Sequence, residues 1–362
     1  MMFKKRNIYY LIAFCIFSII LINFNSIHSQ MIDLTKGAKK RMKQWREDLK
    51  RYPVPKGAIK LRKLFSFPSK ELEEKGIYFY NAFWMCIDKD KNIYVLNQFG
   101  HRVLKFDKNG KFLKQIGKKG KGPGEFWLPS EISVDGKGHL FVEDDGNRRI
   151  QIFNSDGKYL GGFKCFKAIF SMVADKDGFI YTNPHSYDPQ YPLIEVLNMK
   201  GELVRSFGKR LNFGNNTPND VILTMSPNEE LIVAWTRFDY LRKYSKDGKL
   251  LLEIKLKHKY VNEKSKINMK SKFIKGVRSF YETITNIYST KNAIYVLITY
   301  PRIEILEFDN NFQLRKVFWA ETGPQDLIRD FFVLEESNGQ LLFYILRCFP
   351  KEKIEVFTIR KV

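Results

Sequence analysis

The stretch from His101 to Phe153 reads HRVLKFDKNGKFLKQIGKKGKGPGEFWLPSEISVDGKGHLFVEDDGNRRIQIF. It begins and ends on one phrase, because HRVLKFDKNG at 101–110 returns as RRIQIFNSDG at 148–157, an offset of 47 residues. A fixed period of about 40 to 50 residues, with alternating strands and turn residues inside it, is typical of a radial β-repeat. The stretch therefore predicts two successive copies of one β-unit.

Working outward from these copies, a unit of four strands (a to d) recurs six times from Phe83 onward. In the first unit the pattern predicts strands at 83–88, 93–97, 102–107 and 111–116. Asn-Gly and Asp-Gly pairs separate strands c and d, and such pairs tolerate the positive φ of tight β-turns. The sixth unit ends at Ile359, one strand short.

The missing strand is predicted at the other end of the chain. Residues 58–67, AIKLRKLFSF, alternate apolar and basic side chains as the d strands do, and they precede the first unit without a partner of their own. Pairing an N-terminal strand with the last three C-terminal strands removes the exposed edges that would otherwise template aggregation. We therefore predict an all-β fold: a six-bladed β-propeller of four-stranded antiparallel blades, closed by this strand in the C-terminal blade.

The segment before the propeller predicts export. Lys4, Lys5 and Arg6 precede the apolar run 8–22, and a polar stretch follows with a plausible cleavage point after Ser29. We interpret 1–29 as a signal peptide or an uncleaved membrane anchor, 30–55 as a basic helical linker that could lie on a membrane surface, and 56–362 as the propeller. The expected location is periplasmic, membrane-anchored or extracellular.

Charge and cysteines constrain the partners and the compartment. The 362-residue chain has a formal net charge of +23, which favours polyanionic partners unless the surface is simply basic throughout. Outside the signal only Cys86, Cys165 and Cys348 remain, an odd number without metal-ligand spacing, and we expect them in or beside strands as small apolar residues. A basic insert at 257–281, partly helical in pattern, is longer than a connection between blades requires.

Residues 117–126, GKKGKGPGEF, then Pro129 and the segment 147–153, NRRIQIF, resemble the NHL repeat almost position by position. The likeness covers the first two blades, about a quarter of the chain. The whole resembles the NHL-like and TolB-like propellers exported by bacteria of the Bacteroidetes type. That resemblance implies a fold and binding through one face, and it implies no reaction.

In a four-stranded blade the b–c loops and the crossings between blades share one face, around the central channel. Polar groups that converge on a concavity are the usual pattern of a binding site. The predicted ligand-binding residues on this face are Asn97, Glu143, Asp144, Asn183, His185, Arg237, Arg302 and Arg347. We expect a binding or scaffold module there for a protein, a peptide or an anionic glycan, without a cofactor.

Two alternatives remain open at this point. A metal-dependent hydrolase or lyase could hold calcium or zinc in the channel, and oxygen ligands for calcium are available in Glu131, Asn97, Asn183 and Asp330. Nucleic acid could stack on a basic, aromatic face that includes Arg237 and Phe238, but the export signal argues against it.

Overall fold

The computed structural model describes residues 37–212, 219–271 and 280–359, so the predicted signal or anchor at 1–29 lies outside the described residues. The chain divides into two compact units, Met1–Pro53 and Val54–Val362. In the first unit, helix α1 covers 37–51, within the predicted basic linker. Among the described helices, none combines the length and the apolar character that a bilayer crossing requires.

The second unit is an all-β propeller of six blades, as predicted, and strand a of every blade lies innermost. The strands of the first three blades are β2 (Ala82–Ile87), β3 (Ile93–Asn97), β4 (Arg102–Phe106), β5 (Phe112–Ile116); β6 (Glu131–Val134), β7 (Leu140–Asp144), β8 (Arg149–Phe153), β9 (Tyr159–Lys164); and β10 (Ile169–Ala174), β11 (Ile180–Pro184), β12 (Ile194–Leu197), β13 (Leu203–Phe207). Those of the other three are β14 (Val221–Met225), β15 (Leu231–Trp235), β16 (Tyr240–Tyr244), β17 (Leu250–Lys255); β18 (Asn286–Ser289), β19 (Ile294–Ile298), β20 (Ile303–Phe308), β21 (Leu314–Ala320); and β22 (Leu327–Glu335), β23 (Leu341–Phe349), β24 (Lys353–Ile359).

The closing strand is β1 (Ile59–Phe67), which is followed by the short helix α2 (Lys70–Glu74). β1 pairs antiparallel with β24, from Leu61 opposite Ile359 to Phe67 opposite Ile354, and so becomes the outer strand of the sixth blade. It also pairs parallel with β21 of the fifth blade over two residues, which joins both blades into one eight-stranded sheet. The ring closure is confirmed, and the parallel contact was not predicted.

Polar residues at the ends of strands shape the hairpin turns. In the turn between β4 and β5 of the first blade, the Asp107 carboxylate accepts hydrogen bonds from the backbone N–H groups of Asn109 and Lys111, 2.8 and 2.9 Å away. Asn154 makes the same pair of contacts one blade later. Gly110 has φ +81°, which glycine adopts without strain. The turn residues read from the sequence therefore fix where the strands reverse.

The core lies between neighbouring blades. Between the first two blades, for example, Tyr94, Ile116, Phe126 and Phe153 belong to one buried cluster. Burying a side chain of this size contributes about 1.5–3 kcal/mol. Because each blade is covered on both sides, the ring is stabilised by contacts between successive blades.

The described part of the basic insert forms helix α3 (Lys259–Met269). Buried Asn268 of this helix bonds to the carbonyls of Arg237 and Tyr281, and Ser265 bonds to the Asp239 carboxylate. Met269 joins the buried cluster that contains Phe238. The described part of the insert is thus packed on the fourth blade, and its residues 272–279 lie outside the described chain.

Candidate functional site

The propeller has two distinct faces. We call the face with the b–c loops and the blade-to-blade crossings the mouth face, and the face with the a–b and c–d hairpins the turn face. Because β1 runs antiparallel to β24, Ile59 lies at the turn face and Phe67 at the mouth face. A site can therefore be assigned to a face from its position in the blade.

Among the described residues, the exposed aromatic side chains are confined to the mouth face. Each of them lies in a loop or crossing of this face or at the mouth end of a strand: Tyr78, Tyr80, Phe99, Trp127, Phe166, Tyr187, Tyr281 and Phe349. The exposed aliphatic side chains lie mostly on outer strands and turns, for example Leu113, Leu203 and Leu251. A clustered set of exposed aromatic groups marks an interaction surface more often than single exposed aliphatic groups do.

Several of these aromatic groups are held in pairs with basic neighbours. The rings of Tyr80 and Phe99 meet edge to face at 5.3 Å. Trp127 stacks on His101 at 5.9 Å, and the Lys119 ammonium lies 4.7 Å from its ring centroid. The mouth face thus presents fixed aromatic surfaces with cations beside them.

A pocket of about 460 Å³ opens at the centre of the mouth face. We call it the mouth pocket, and its lining residues are Phe83, Trp84, Phe170, Ile222, Thr236, Arg237, Phe280, Glu282, Thr285 and Arg329. The Arg237 guanidinium lies 5.0 Å from the centroid of Phe280, and that of Arg329 lies 5.4 Å from the centroid of Phe83. Arg329 also donates to Glu282 at 2.9 Å.

Two of the eight predicted ligand-binding residues reach this pocket or its edge. Arg237 lines it and donates to buried Asp220 at 2.5 Å. His185 lies 3.1 Å from the other Asp220 oxygen, and this hydrogen bond raises the pKa of His185. Asp220 therefore positions both side chains at the mouth.

The two predicted asparagines instead hold loops of their own region. Asn97 accepts from the N–H of Tyr80 and donates to the carbonyl of Tyr78, at 2.8 and 2.7 Å. Asn183 donates to the carbonyl of Leu193 and accepts from the N–H of Val221. Both amides are buried with donor and acceptor satisfied, so neither is presented to solvent.

Asp144 is the centre of the loop that carries the repeat signature. Its buried carboxylate accepts from the N–H of Trp127 and from the side chains of Asn147, Arg149 and Gln151. Arg149 and Gln151 also reach the carbonyl of Glu125 at 2.8 and 2.7 Å. These contacts explain the NHL-like spacing: it fixes the crossing between the first two blades.

Glu143, Arg302 and Arg347 are likewise engaged in the protein. Glu143 is buried and accepts from the Ser130 hydroxyl at 2.7 Å; burial raises the pKa of Glu143 to about 7. Buried Arg302 pairs with Glu304 at 3.1 Å. Arg347 is flanked by Asp326 and Glu355, the latter at 2.6 Å. These three residues lie at the mouth end of their blades and bind neighbouring groups.

The channel below the mouth pocket encloses about 480 Å³, and Glu131 and Asp330 line it. Asp330 accepts from the N–H of Met85 in the next blade and from the Asn286 amide of the preceding one, both at 2.6 Å. Ser133 accepts from the N–H of Ala174 at 2.9 Å in the same manner. Side chains of the innermost strands thus bridge one blade to the next.

Burial raises the pKa of Glu131 well above its usual range, and the carboxyls of Glu143 and Asp330 act in the same direction. Burial also raises the pKa of Asp330 to about 7, although the backbone N–H groups of Met85 and Phe331 oppose the change. Carboxyl groups of this kind favour the protonated form, in which they are weaker ligands for cations.

The four predicted metal ligands are divided by the structure. Glu131 and Asp330 face the channel, whereas Asn97 and Asn183 are bound within loops of the mouth face. Within the described chain, the one group of three close acidic or metal-ligating side chains is Asp175, Asp177 and Glu229, at the turn face. The Lys246 ammonium lies among them, 2.5 Å from Asp177 and 3.2 Å from Glu229.

Of the residues that line the mouth pocket, the sequence predicted only Arg237 as a ligand-binding residue. Phe83, Phe170 and Ile222 each occupy the second position of an innermost strand, and this shared position was a signal that could have been used. Arg329 comes from the sixth blade and Glu282 from the segment between the insert and β18, so no spacing in the sequence relates them.

Parts of this chain are similar in sequence to known proteins. Human NHL repeat-containing protein 3 is 32% identical over 95 residues, which are 25% of this chain and 27% of that protein. A Caenorhabditis elegans protein named as a peptidyl-α-hydroxyglycine α-amidating lyase, pgal-1, is 26% identical over 174 residues, 44% of this chain and 47% of that protein. The chain therefore spans less than half the length of these relatives.

A solved structure described as that of an exported protein from Bacteroides fragilis has a TM-score of 0.57 and 13% identity, and the match covers 85% of this chain and 97% of that one. This likeness concerns the fold alone. Residues 86–300, more than half of the sequence, match the family DUF5128, described as a 6-bladed beta-propeller. On that match, and on the six blades described above, the chain belongs to this family.

Proposed function

We propose that this propeller is an exported binding module that recognises a partner through the mouth face. The observation that carries the proposal is the confinement of the exposed aromatic side chains to that face. Aromatic and arginine side chains are enriched in protein interfaces, where they supply most of the binding free energy. The turn face instead carries compact hairpins whose carboxylates accept from their own backbone.

The partner that fits this face best is an acidic protein or peptide. The formal net charge of the chain is +23, and Lys119, Lys164 and Lys167 lie among the exposed aromatic groups. Complementary charge accelerates association and excludes like-charged competitors. Export is supported by the order of basic, apolar and polar segments at the N-terminus.

Site-specific photo-crosslinking in the native host tests this function. A photoreactive phenylalanine analogue replaces Tyr80, Phe166 or Tyr187 on the mouth face, and the control positions on outer strands are Leu113, Leu203 and Leu251. We expect one discrete adduct shared by the mouth positions and absent from the controls. Excess unlabelled protein should compete for it, whereas a Tyr80→Ser, Trp127→Ser, Tyr187→Ser variant should not. Equal adducts from both sets, or none from the mouth set, would exclude the mouth face as the binding surface.

The second candidate is a metal-dependent hydrolase or lyase with its site in the channel. Two observations favour it: carboxyl groups of Glu131 and Asp330 line the channel, and the Caenorhabditis elegans relative is named as a probable lyase. This function requires a tightly held calcium or zinc ion. It would also require the channel carboxyls to exchange their hydrogen bonds for metal coordination.

A further inference from the structure

The mouth pocket combines apolar wall residues with two guanidinium groups. Its wall is largely apolar, with Phe83, Phe170 and Phe280 contributing rings, and the guanidinium groups of Arg237 and Arg329 lie against two of them. A volume of about 460 Å³ is within the range of pockets that hold small ligands or a few residues of a chain. The pocket can therefore hold an apolar group and an anion side by side.

The two arginines are not equivalent. Arg237 is bound to buried Asp220, so the charge of its guanidinium is already neutralised by this carboxylate. Arg329 pairs with Glu282, and the side chains of these two residues are 37% and 41% exposed. An ion pair between two partly exposed side chains contributes little to stability. Arg329 can consequently exchange Glu282 for another carboxylate at small cost.

The apolar wall selects among carriers of a carboxylate. A sugar ring presents several hydroxyl groups, and any that is buried against the phenylalanine rings, away from Thr236, Thr285 and the charged side chains of the lining, would lack a hydrogen-bond partner. An apolar amino-acid side chain has no polar group that would be left without a hydrogen-bond partner against the same wall. The lining therefore suits a peptide in which a carboxylate stands next to an apolar side chain.

We propose that the mouth pocket binds such a peptide group, with Arg329 pairing its carboxylate and Glu282 as the resident carboxylate that it displaces. The inference rests on the proposed function and names the chemistry recognised at the centre of that face. The carboxylate can come from a free C-terminus or from an acidic side chain beside an apolar residue. Planar, bidentate pairing with carboxylates is the usual role of arginine in recognition sites.

Fluorescence anisotropy with the full chain tests the proposal. The probe is a labelled glycine–serine pentapeptide ending in leucine with a free carboxylate. A second probe has a C-terminal amide, and a third has the amide and a glutamate before the leucine. Binding of the first probe alone assigns a C-terminus, and binding of the third alone assigns an acidic side chain. Absence of binding by both, or tighter binding of a uronic-acid oligosaccharide, would overturn the proposal.

Variants of the two partners should act in opposite directions. Arg329→Ala removes the charge-assisted pair and should raise the dissociation constant of the peptide at least about tenfold. Glu282→Gln removes the competing carboxylate and should lower this constant several-fold, and misfolding cannot produce such a gain in affinity. Arg315→Ala, on the exposed outer strand β21, is the matched control and should change nothing. Equal affinities in all three variants would contradict the proposal. If the crosslinked adduct persists in Arg329→Ala while the peptides fail to bind, the mouth face is still the binding surface and only the pocket chemistry is wrong.

Discussion

Buried carboxylates at the mouth end of the blades hold loops and strands in place. Asp144 accepts four hydrogen bonds from the crossing and the strands around it, and Asp220 orients His185 and Arg237. A buried acceptor with all its donors present is costly to remove, because the donors are then left unsatisfied. At the scale of single residues, much of the predicted site is therefore support for the face that surrounds it.

The raised pKa of Glu143 predicts a pH dependence of stability. Burial raises this pKa from an ordinary 4.5 to about 7, so between these values the unfolded chain loses the proton while the folded protein retains it. The free energy of unfolding therefore falls as pH rises through this window and levels off above about pH 7. Glu143→Gln does not titrate, and its amide oxygen can accept from the Ser130 hydroxyl in place of the carboxyl oxygen.

Chemical denaturation at pH 5 and pH 8 measures this effect. The difference in unfolding free energy between Glu143→Gln and the wild type should shift in favour of the variant by about 1–3 kcal/mol from pH 5 to pH 8. Glu74→Gln on exposed helix α2 is the matched control and should leave the pH profile unchanged. Parallel profiles of the wild type and Glu143→Gln would show that Glu143 titrates normally in the folded protein.

At the scale of elements, β1 is the strand on which the ring depends. It covers the outer edge of β24 through six residue pairs and buries Leu61 and Phe67. Without it, the sixth blade has three strands and the last edge is open. We expect a chain that begins at residue 69 to lose its cooperative thermal transition.

A peptide of residues 58–68 supplied in trans should restore that transition, because it can pair with β24 without the covalent link. The control peptide carries serine in place of Leu61 and Phe67 and should restore nothing. Circular dichroism melts report both outcomes. A shortened chain that melts cooperatively at the wild-type temperature without the peptide would show that β1 does not close the ring.

Strand positions were predictable wherever turn residues mark both ends. In the first blade, β3 has the predicted bounds 93–97, and the other three strands differ from their predicted bounds by one residue, because the strands are short and polar turn residues flank them. In the sixth blade, irregular pairing at Ile328 of β22 interrupts the alternation of buried side chains from which a strand can be predicted. The parallel contact between β1 and β21 could not be predicted, since it depends on how two blades are placed.

The candidate site was less predictable than the fold because exposure is decided by distant segments. Phe99 and Phe238 both occupy b–c loops, yet Phe99 is 45% exposed and Phe238 is fully buried. Phe238 shares a buried cluster with Met269 of α3, 31 residues further along the chain. The alternative that used Phe238 as a stacking surface for nucleic acid is therefore wrong for this residue.

At the scale of the whole molecule, the two candidate functions require different interactions of the channel carboxyls. If the propeller is a binding module, its channel carboxyls remain bound to neighbouring blades and the protein needs no metal. We expect a preparation of the propeller dialysed without metal to contain no stoichiometric calcium or zinc, and its melting temperature to stay within about 1 °C after chelator. A metal present at a hundred times its dissociation constant adds about 2.7 kcal/mol, which would be lost on chelation.

Elemental analysis, together with thermal melts before and after addition of chelator, distinguishes the two candidate functions. One metal ion per chain and a fall of several degrees on chelation would favour the hydrolase or lyase. In that case Asp330→Asn should abolish metal binding, while a Lys246→Gln variant at the turn face serves as the control for the acidic group there.

The path of β1 also determines how the propeller carries mechanical load. The strand enters at the turn face and ends at the mouth face, and its ladder with β24 lies along that line. A pull on the chain ahead of β1 therefore acts lengthwise on the strand, so its hydrogen bonds share the force instead of opening one after another. If a partner binds at the mouth face, it would pull from the opposite side of the ring. Tension between the chain ahead of β1 and such a partner would therefore load the ladder of β1 and β24 along its strands.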